Sequence, residues 1–185
     1  DLSFFDAIDY AADRVHDDLA GYPDLEASVR SSLGSVYRRH ALYDRAEGQL
    51  RQSLRLRREH LGDDHPDTAR AMQFLSNLVF ERDGQMEEAL LLLERADAVF
   101  TAATQLGPMR TAWVALDLGI VHLARDAPHA AARAFERCRT QLAGTLGADH
   151  PDTSRALRGL AAAALLTGEP ERAAKVAERA VTLCA

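Results

Sequence analysis

The side chains that could do covalent or metal chemistry are few in this chain and poorly placed for it. Cys138 and Cys184 stand far apart, with no CxxC pair and no histidine at metal-ligand spacing. They are expected to be small packing residues in a reducing compartment. The seven histidines are scattered, and no HxxxH pair puts two of them on one helix face. His122 falls at an apolar position and is expected to be a satisfied buried histidine rather than a ligand. Carboxylates are plentiful, but no pair stands in an obvious apolar cleft. No Gly-rich phosphate loop occurs, and no Ser, Cys or Thr has a visible base and orienting group. An activity must be argued from a site, and none is offered, so no enzyme, cofactor or metal is expected.

The elements that would position the remaining side chains are written as a repeat. Leu61-Gly62-Asp63-Asp64-His65-Pro66-Asp67-Thr68 returns as Leu146-Gly147-Ala148-Asp149-His150-Pro151-Asp152-Thr153, with His65 and His150 85 positions apart. Leu106-Gly107-Pro108-Met109-Arg110-Thr111 is a degenerate copy midway between them. The unit is therefore about 42 residues long, the range of stacked supersecondary repeats. In each unit a turn with Gly then Pro opens a helix, and Pro66, Pro108 and Pro151 are expected in its first turn, where a missing N–H costs little. A break follows, at Ala41-Leu42-Tyr43-Asp44, Arg82-Asp83-Gly84-Gln85, Arg125-Asp126-Ala127-Pro128 and Thr167-Gly168-Glu169-Pro170. A second helix then carries Ala46, Ala89, Ala131 or Ala173 near its start.

The apolar spacing is helical. Leu33, Gly34 and Tyr37 share a face, as do Ala46, Leu50 and Ser53 on the partner helix. The equivalents are Leu118, Gly119 and His122 with Ala131, Phe135 and Cys138, then Leu160, Ala161 and Ala164 with Ala173, Val176 (or Ala177) and Ala180. Small residues at the second position of each set let two helices approach closely. A lone helix pair cannot bury such a face, but stacked neighbours can. The second unit has one more residue between its Thr and Ala than the fourth, so its register is open by one.

Leu33-Gly34-Ser35-Val36-Tyr37, followed nine residues later by Ala46, resembles the signature of the tetratricopeptide repeat (TPR). The long period and the Leu-Gly-x-Asp-His-Pro-Asp-Thr linker resemble the kinesin-light-chain type. The likeness covers residues 24–185. Residues 7–25 resemble the segment that precedes TPR arrays in large bacterial serine/threonine kinases, although no kinase motif is present. The resemblance implies an all-α fold: a right-handed superhelical solenoid of antiparallel helix pairs, about nine helices. Residues 1–23 would be a capping helix, followed by four units at approximately 24–62, 63–107, 108–147 and 148–185. His-Pro-Asp at 65–67 and 150–152 also resembles the tripeptide of J-domain co-chaperones. Its doubling inside a linker reads instead as repeat punctuation.

In the TPR family the first helix of each unit presents a stripe to a concave groove. Positions spaced 0, 3, 7 and 10 share a helix face. They are Ser28, Ser31, Ser35 and Arg38; Arg70, Gln73, Asn77 and Phe80, give or take one; Trp113, Leu116, Ile120 and Leu123; and Arg155, Arg158, Ala162 and Leu165. Trp and Arg are enriched at binding hot spots. The expected peptide-binding set is Arg38, Arg70, Gln73, Asn77, Trp113, Leu116, Ile120, Arg155 and Arg158. Trp113, Leu116 and Ile120 would anchor a partner. The four arginines would engage acidic side chains or carbonyls, and Asn77 would hold the ligand backbone. The implied function is a protein–protein interaction module, the scaffold or regulatory part of a larger bacterial signalling protein. The alternatives are a homo-oligomerisation module, or an intramolecular regulatory domain of a serine/threonine kinase.

Composition narrows the partners. A net charge of -6 argues against nucleic acid, whose backbone selects basic surfaces. No apolar run approaches the roughly 20 residues that span a bilayer. The expected partner is a protein or peptide, without nucleic acid or direct membrane insertion, and with a homodimer possible through exposed apolar patches. A cytoplasmic setting is expected, with a membrane-anchored parent protein as the alternative, since no signal peptide is visible; the start at Asp1 without Met suggests a fragment of something longer. Residues 1–27 carry eight acids against Arg14 alone, and residues 28–60 carry eight arginines, among them Arg51, Arg55, Arg57 and Arg58. The acidic first helix is expected to lie against those arginines, a basic docking patch being the rival reading.

Overall fold

The computed structural model describes residues 4–183, so Asp1 and Cys184 lie outside the described residues. Among the described residues the chain is all helix and turn, with nine α-helices and no strand. They are α1 (Phe4–Asp18), α2 (Pro23–Arg39), α3 (Tyr43–Leu61), α4 (Pro66–Asp83), α5 (Met86–Ala102), α6 (Met109–Ala124), α7 (Pro128–Leu146), α8 (Thr153–Leu166) and α9 (Pro170–Thr182), with one 3-10 turn at Thr104–Leu106. The helices fall into two compact units, residues 1–92 and 93–185, divided within α5.

Proline marks helix starts, but not all of those expected. Pro23, Pro128 and Pro170 each open a helix, as does Pro66. Pro108 instead caps α6 from outside, its carbonyl accepting the Ala112 N–H at 2.9 Å. Pro151 lies in the turn before α8, which begins at Thr153. Left-handed residues close the break within each helix pair: Ala41, Gly84, Asp126 and Gly168.

In the first unit α2 and α3 form an antiparallel pair on which α4 packs. Ala27, Gly34 and Tyr37 of α2 meet Ala46, Leu50 and Leu54 of α3, all buried. The contact at Gly34 is close: a Cβ there would lie 2.6 Å from Leu50 Cγ. Ser53 is fully buried in this core, donates to Ala27 O at 2.6 Å and meets Ser31 Oγ at 2.8 Å, so its hydroxyl is satisfied.

Arg45 of the arginine-rich α3 pairs with Asp9 of the acidic first helix at 2.7 Å. Three of the other arginines of α3 find partners elsewhere. Arg51 bridges Glu47 and Glu88, Arg55 takes Gln52 and Glu59, and Arg58 takes Asp63. The arginines of α3 therefore mostly pair within α3, with the turn that follows it and with α5.

In the second unit α6 pairs with α7, α8 with α9, and α7 packs on α8. The core is Ala112, Ala115 and Leu116 of α6, Ala131, Phe135, Cys138 and Leu142 of α7, and Ala156, Leu157 and Leu160 of α8. Phe135 is the wedge, since its ring lies against Gly119 on one side and Gly159 on the other. Asp97, from the end of α5, receives both guanidinium nitrogens of Arg137 at 2.8 and 2.9 Å.

Candidate functional site

The linkers that punctuate the repeat are structural. His65 Nδ1 accepts the Asp67 N–H at 3.1 Å, and His150 Nδ1 accepts the Asp152 N–H at 3.2 Å. Each imidazole satisfies a backbone donor at the entry to a helix, the task of a capping side chain. Thr68 donates to Gly62 O at 2.8 Å and Thr153 to His150 O at 2.6 Å, so the hydroxyls close the same turns.

Metal-ligating side chains are not gathered in the described residues. No group of three or more His, Cys, Asp or Glu is placed to hold a metal among them. Cys138 is wholly buried, and burial pushes its thiol up to about 12, which leaves it a packing residue. His122 is half-buried beside Leu118, Arg133 and Arg137, and its burial, with the nearby charge of Arg125, holds it below the ordinary histidine value. Among the described residues no helix is long and apolar enough to cross a membrane.

The first unit presents a cleft of about 540 Å³ on the side where α2, α3 and α4 meet. Ser28, Ser31, Ser32, Ser35, Val36, Arg38 and Arg39 line it from α2, Arg57 from α3, and Arg70 and Phe74 from α4. Two of the sequence-predicted residues, Arg38 and Arg70, thus share one opening. Arg38 is held by Glu81 of α4 at 2.5 Å, and Arg70 leans on Asp67 at 3.4 Å. Gln73 and Asn77 sit half-buried on α4 and do not line this cleft.

Sequence reasoning did not single out Arg57 for this site, although the signal was there. Arg57 follows Leu50 and Leu54 at helical spacing, which sets it on the buried face of α3. It is 2% exposed, the largest wholly buried side chain among those described.

The second unit carries the remaining predicted residues on α6 and α8, which touch. Trp113 is half-buried and packs on the core, and the Arg155 guanidinium carbon stands 5.4 Å from its ring centre. That is cation–π distance. Ile120, two turns on along the same helix, is 38% exposed, and Arg158 is exposed one turn after Arg155. Leu116 departs from its expected role: at 2% exposure it belongs to the core with Phe135 and Leu157, because the α6 face it occupies is covered by α7 and α8. A partner cannot reach it.

The tetratricopeptide-repeat family model matches residues 25–102 and 110–185. No sequence among curated proteins matches the chain. Solved structures share its fold. BtubC (BKLC) from P. vanneervenii superposes with a TM-score of 0.81 at 21% identity, over 95% of this chain and 70% of that one. A putative kinesin light chain with nearly identical TPR-like repeats from Podosopora anserina gives 0.75 at 19%, over 95% and 86%. MamA gives 0.68 at 20%, over 99% and 95%.

Proposed function

The chain belongs to the tetratricopeptide-repeat family, and we propose on that premise that it binds a polypeptide through the helix faces described above. The TPR fold is a protein-interaction scaffold. The observation that carries the reading is the Trp113–Arg155 stack with Ile120 exposed beyond it on the same helix. A rigid aromatic held by a guanidinium, flanked by accessible aliphatic surface, is the composition of an interface hot spot. Trp113 and Ile120 form the apolar anchor, and Arg155 and Arg158 meet acidic side chains or carbonyls. In the first unit Arg38, Arg70, Gln73 and Asn77 supply polar contacts. Residues 1–23 serve as a cap, with the four units following it. The likeness of residues 7–25 to the segment before kinase-linked arrays supports a place as the scaffold or regulatory part of a larger bacterial signalling protein.

The test is capture from source-organism lysate by this domain and by a Trp113→Ala, Ile120→Ser, Arg158→Glu variant of equal helicity and melting. Proteins held by the first and lost by the second support the reading, and equal capture sinks it. Trp113→Ala alone is expected to weaken the identified complex by at least about 2 kcal/mol. Self-association is the second reading, favoured by Leu165 and Val181, which are 62% and 69% exposed. It predicts a concentration-dependent mass in light scattering.

A further inference from the structure

Arg57 is a buried cation whose hydrogen bonds all go to neutral groups. Its Nη1 donates to the Asp67 backbone carbonyl at 3.1 Å and its Nη2 to Ser28 Oγ at 3.3 Å. Among the described residues it makes no ion pair. The acids that act on it at longer range are Asp67, whose carboxylate is taken by Arg70, and Asp24. Charges withdrawn from water are ordinarily paired, because an uncompensated one is costly.

A second, independent sign points to the same place. Arg70 Nε is buried and has no hydrogen-bond partner. Arg57 and Arg70 line one cleft with Arg38 and Arg39, and no acidic side chain is among its lining. Of these four arginines Arg38 and Arg70 have carboxylate partners, at Glu81 and Asp67. Burial, and then the neighbouring Arg70, weaken the hold of Arg57 on its proton, the expected state of a cation site short of its anion.

We propose that this cleft is an oxyanion site that receives the phosphomonoester of a phosphorylated serine or threonine side chain on a polypeptide partner. A phosphate dianion brings three strong acceptor oxygens and close to two charges, whereas a carboxylate brings two oxygens and one charge. Arg57, Arg70 and Arg39 offer guanidinium forks suited to several oxygens. The serine hydroxyls can contribute further: Ser28, Ser32 and Ser35 now donate to the carbonyls of Asp24, Ser28 and Ser31 on their own helix. Rotation of a hydroxyl redirects that donor at small cost. The volume, about 540 Å³, exceeds that of a lone ion, and Val36 and Phe74 give the carbon chain of a side chain something to lie against. The site rests on the reading that the chain binds polypeptides, but its charge chemistry is tested with small probes.

The experiment follows the arginine Nε–Hε resonances of the full chain during titration with three probes: N-acetyl-O-phosphoserine methyl amide, N-acetylglutamate methyl amide and inorganic phosphate. The expected result is saturable shifts at Arg57 and Arg70 with the phosphoserine probe at millimolar concentration. Binding should be about tenfold weaker for the glutamate probe, because charge-assisted contacts scale with the anion's charge and acceptors, and several-fold weaker for inorganic phosphate, which has no carbon chain to lie against Val36 and Phe74. Arg70→Gln, on a partly exposed side chain, should cost about tenfold for the phosphoserine probe while melting is preserved. Arg57→Gln should abolish the shift at Arg70. Should Arg57→Gln fail to fold, Arg70→Gln decides alone. Any of four results overturns the proposal: no shift, equal binding of the two blocked amino acids, inorganic phosphate binding as tightly as phosphoserine, or an undiminished response in Arg70→Gln. None of these needs the Trp113 face, so failure here and failure of partner capture remain distinguishable.

Discussion

Tyr37 of α2 donates its hydroxyl to the Asp9 carboxylate of α1 at 2.6 Å. The ring is 1% exposed, and the same carboxylate also receives Arg45 of α3 at 2.7 Å. Asp9 therefore gathers α1, α2 and α3 at one point. Burial first, and then the hydrogen bond to Asp9, hold the phenol well above the ordinary tyrosine value. Tyr37→Phe keeps the ring and leaves Asp9 with Arg45 and solvent, so a loss of about 1 kcal/mol is expected, not a collapse. Urea unfolding of the single and Asp9→Asn double variants measures it. Additive losses at the two sites would remove the coupling claimed here.

Acid should weaken the first unit through Glu26. This side chain is buried, meets Arg30 at 2.8 Å and His16 at 3.3 Å, and is bound by both despite its burial. Burial pushes its carboxyl up, but the bonds from Arg30 and His16 outweigh that and hold it below the ordinary glutamate value. The folded state then binds this proton less readily than the unfolded chain. Its contribution is full above the unfolded value and is lost as pH falls through the folded one. Glu26→Gln should be less stable near neutrality by about 2 kcal/mol, because Arg30 keeps a charge without a counter-charge. It should also show a flatter decline in acid. Unfolding midpoints measured across the acid range test both, and parallel profiles for the two proteins would rule out Glu26 as the source.

The helical pairs were legible because their signal is periodic. Leu33-Gly34 and Tyr37 against Ala46 and Leu50 recur at fixed spacing, and small residues at close approaches have no other physical reason to recur. Stripe assignment was harder. Leu116 and Ile120 both fit the 0, 3, 7 spacing, yet α7 and α8 cover one and spare the other. Spacing fixes the face of a helix, but the width of the neighbour's cover is a tertiary fact. Arg57 escaped for the opposite reason. A charged residue on an apolar face reads by type as surface, and only its position after Leu50 and Leu54 reveals its burial.

A stabilising change is available at Ala41. This residue adopts φ +57° at the break between α2 and α3, where the other two breaks with glycine have Gly84 and Gly168 at φ +61° and +77°. A Cβ in the left-handed region crowds the following carbonyl at a cost of about 1 kcal/mol. The loss of chain entropy incurred by glycine offsets part of that. Ala41→Gly is therefore expected to raise the melting temperature by a few degrees, roughly 1 kcal/mol or less. Asp126, at φ +56° in the corresponding break of the second unit, should respond in the same direction. A fall in melting temperature at both sites would show that these alanine and aspartate side chains make contributions larger than the strain.

The Phe135 wedge gives the sharpest test of packing in the second unit. A Cβ on Gly119 would lie 2.5 Å from Phe135 Cε1, and one on Gly159 would lie 2.5 Å from the same atom. Phe135 is 1% exposed, so its ring has little room to retreat. Gly119→Ala or Gly159→Ala should each cost about 1–3 kcal/mol through overpacking, even though alanine is the better helix former. Phe135→Leu alone should also destabilise, by leaving a cavity. Combined, the changes should cost less than their sum, since the smaller side chain vacates the space the new methyl enters. The measurement is a double-mutant cycle by chemical unfolding for each glycine. Additivity would show that the methyl is absorbed by movement of α6 or α8 rather than by the ring. Sub-additivity at both glycines would establish Phe135 as the residue that sets the spacing of α6, α7 and α8, the frame on which Trp113 and Arg155 meet.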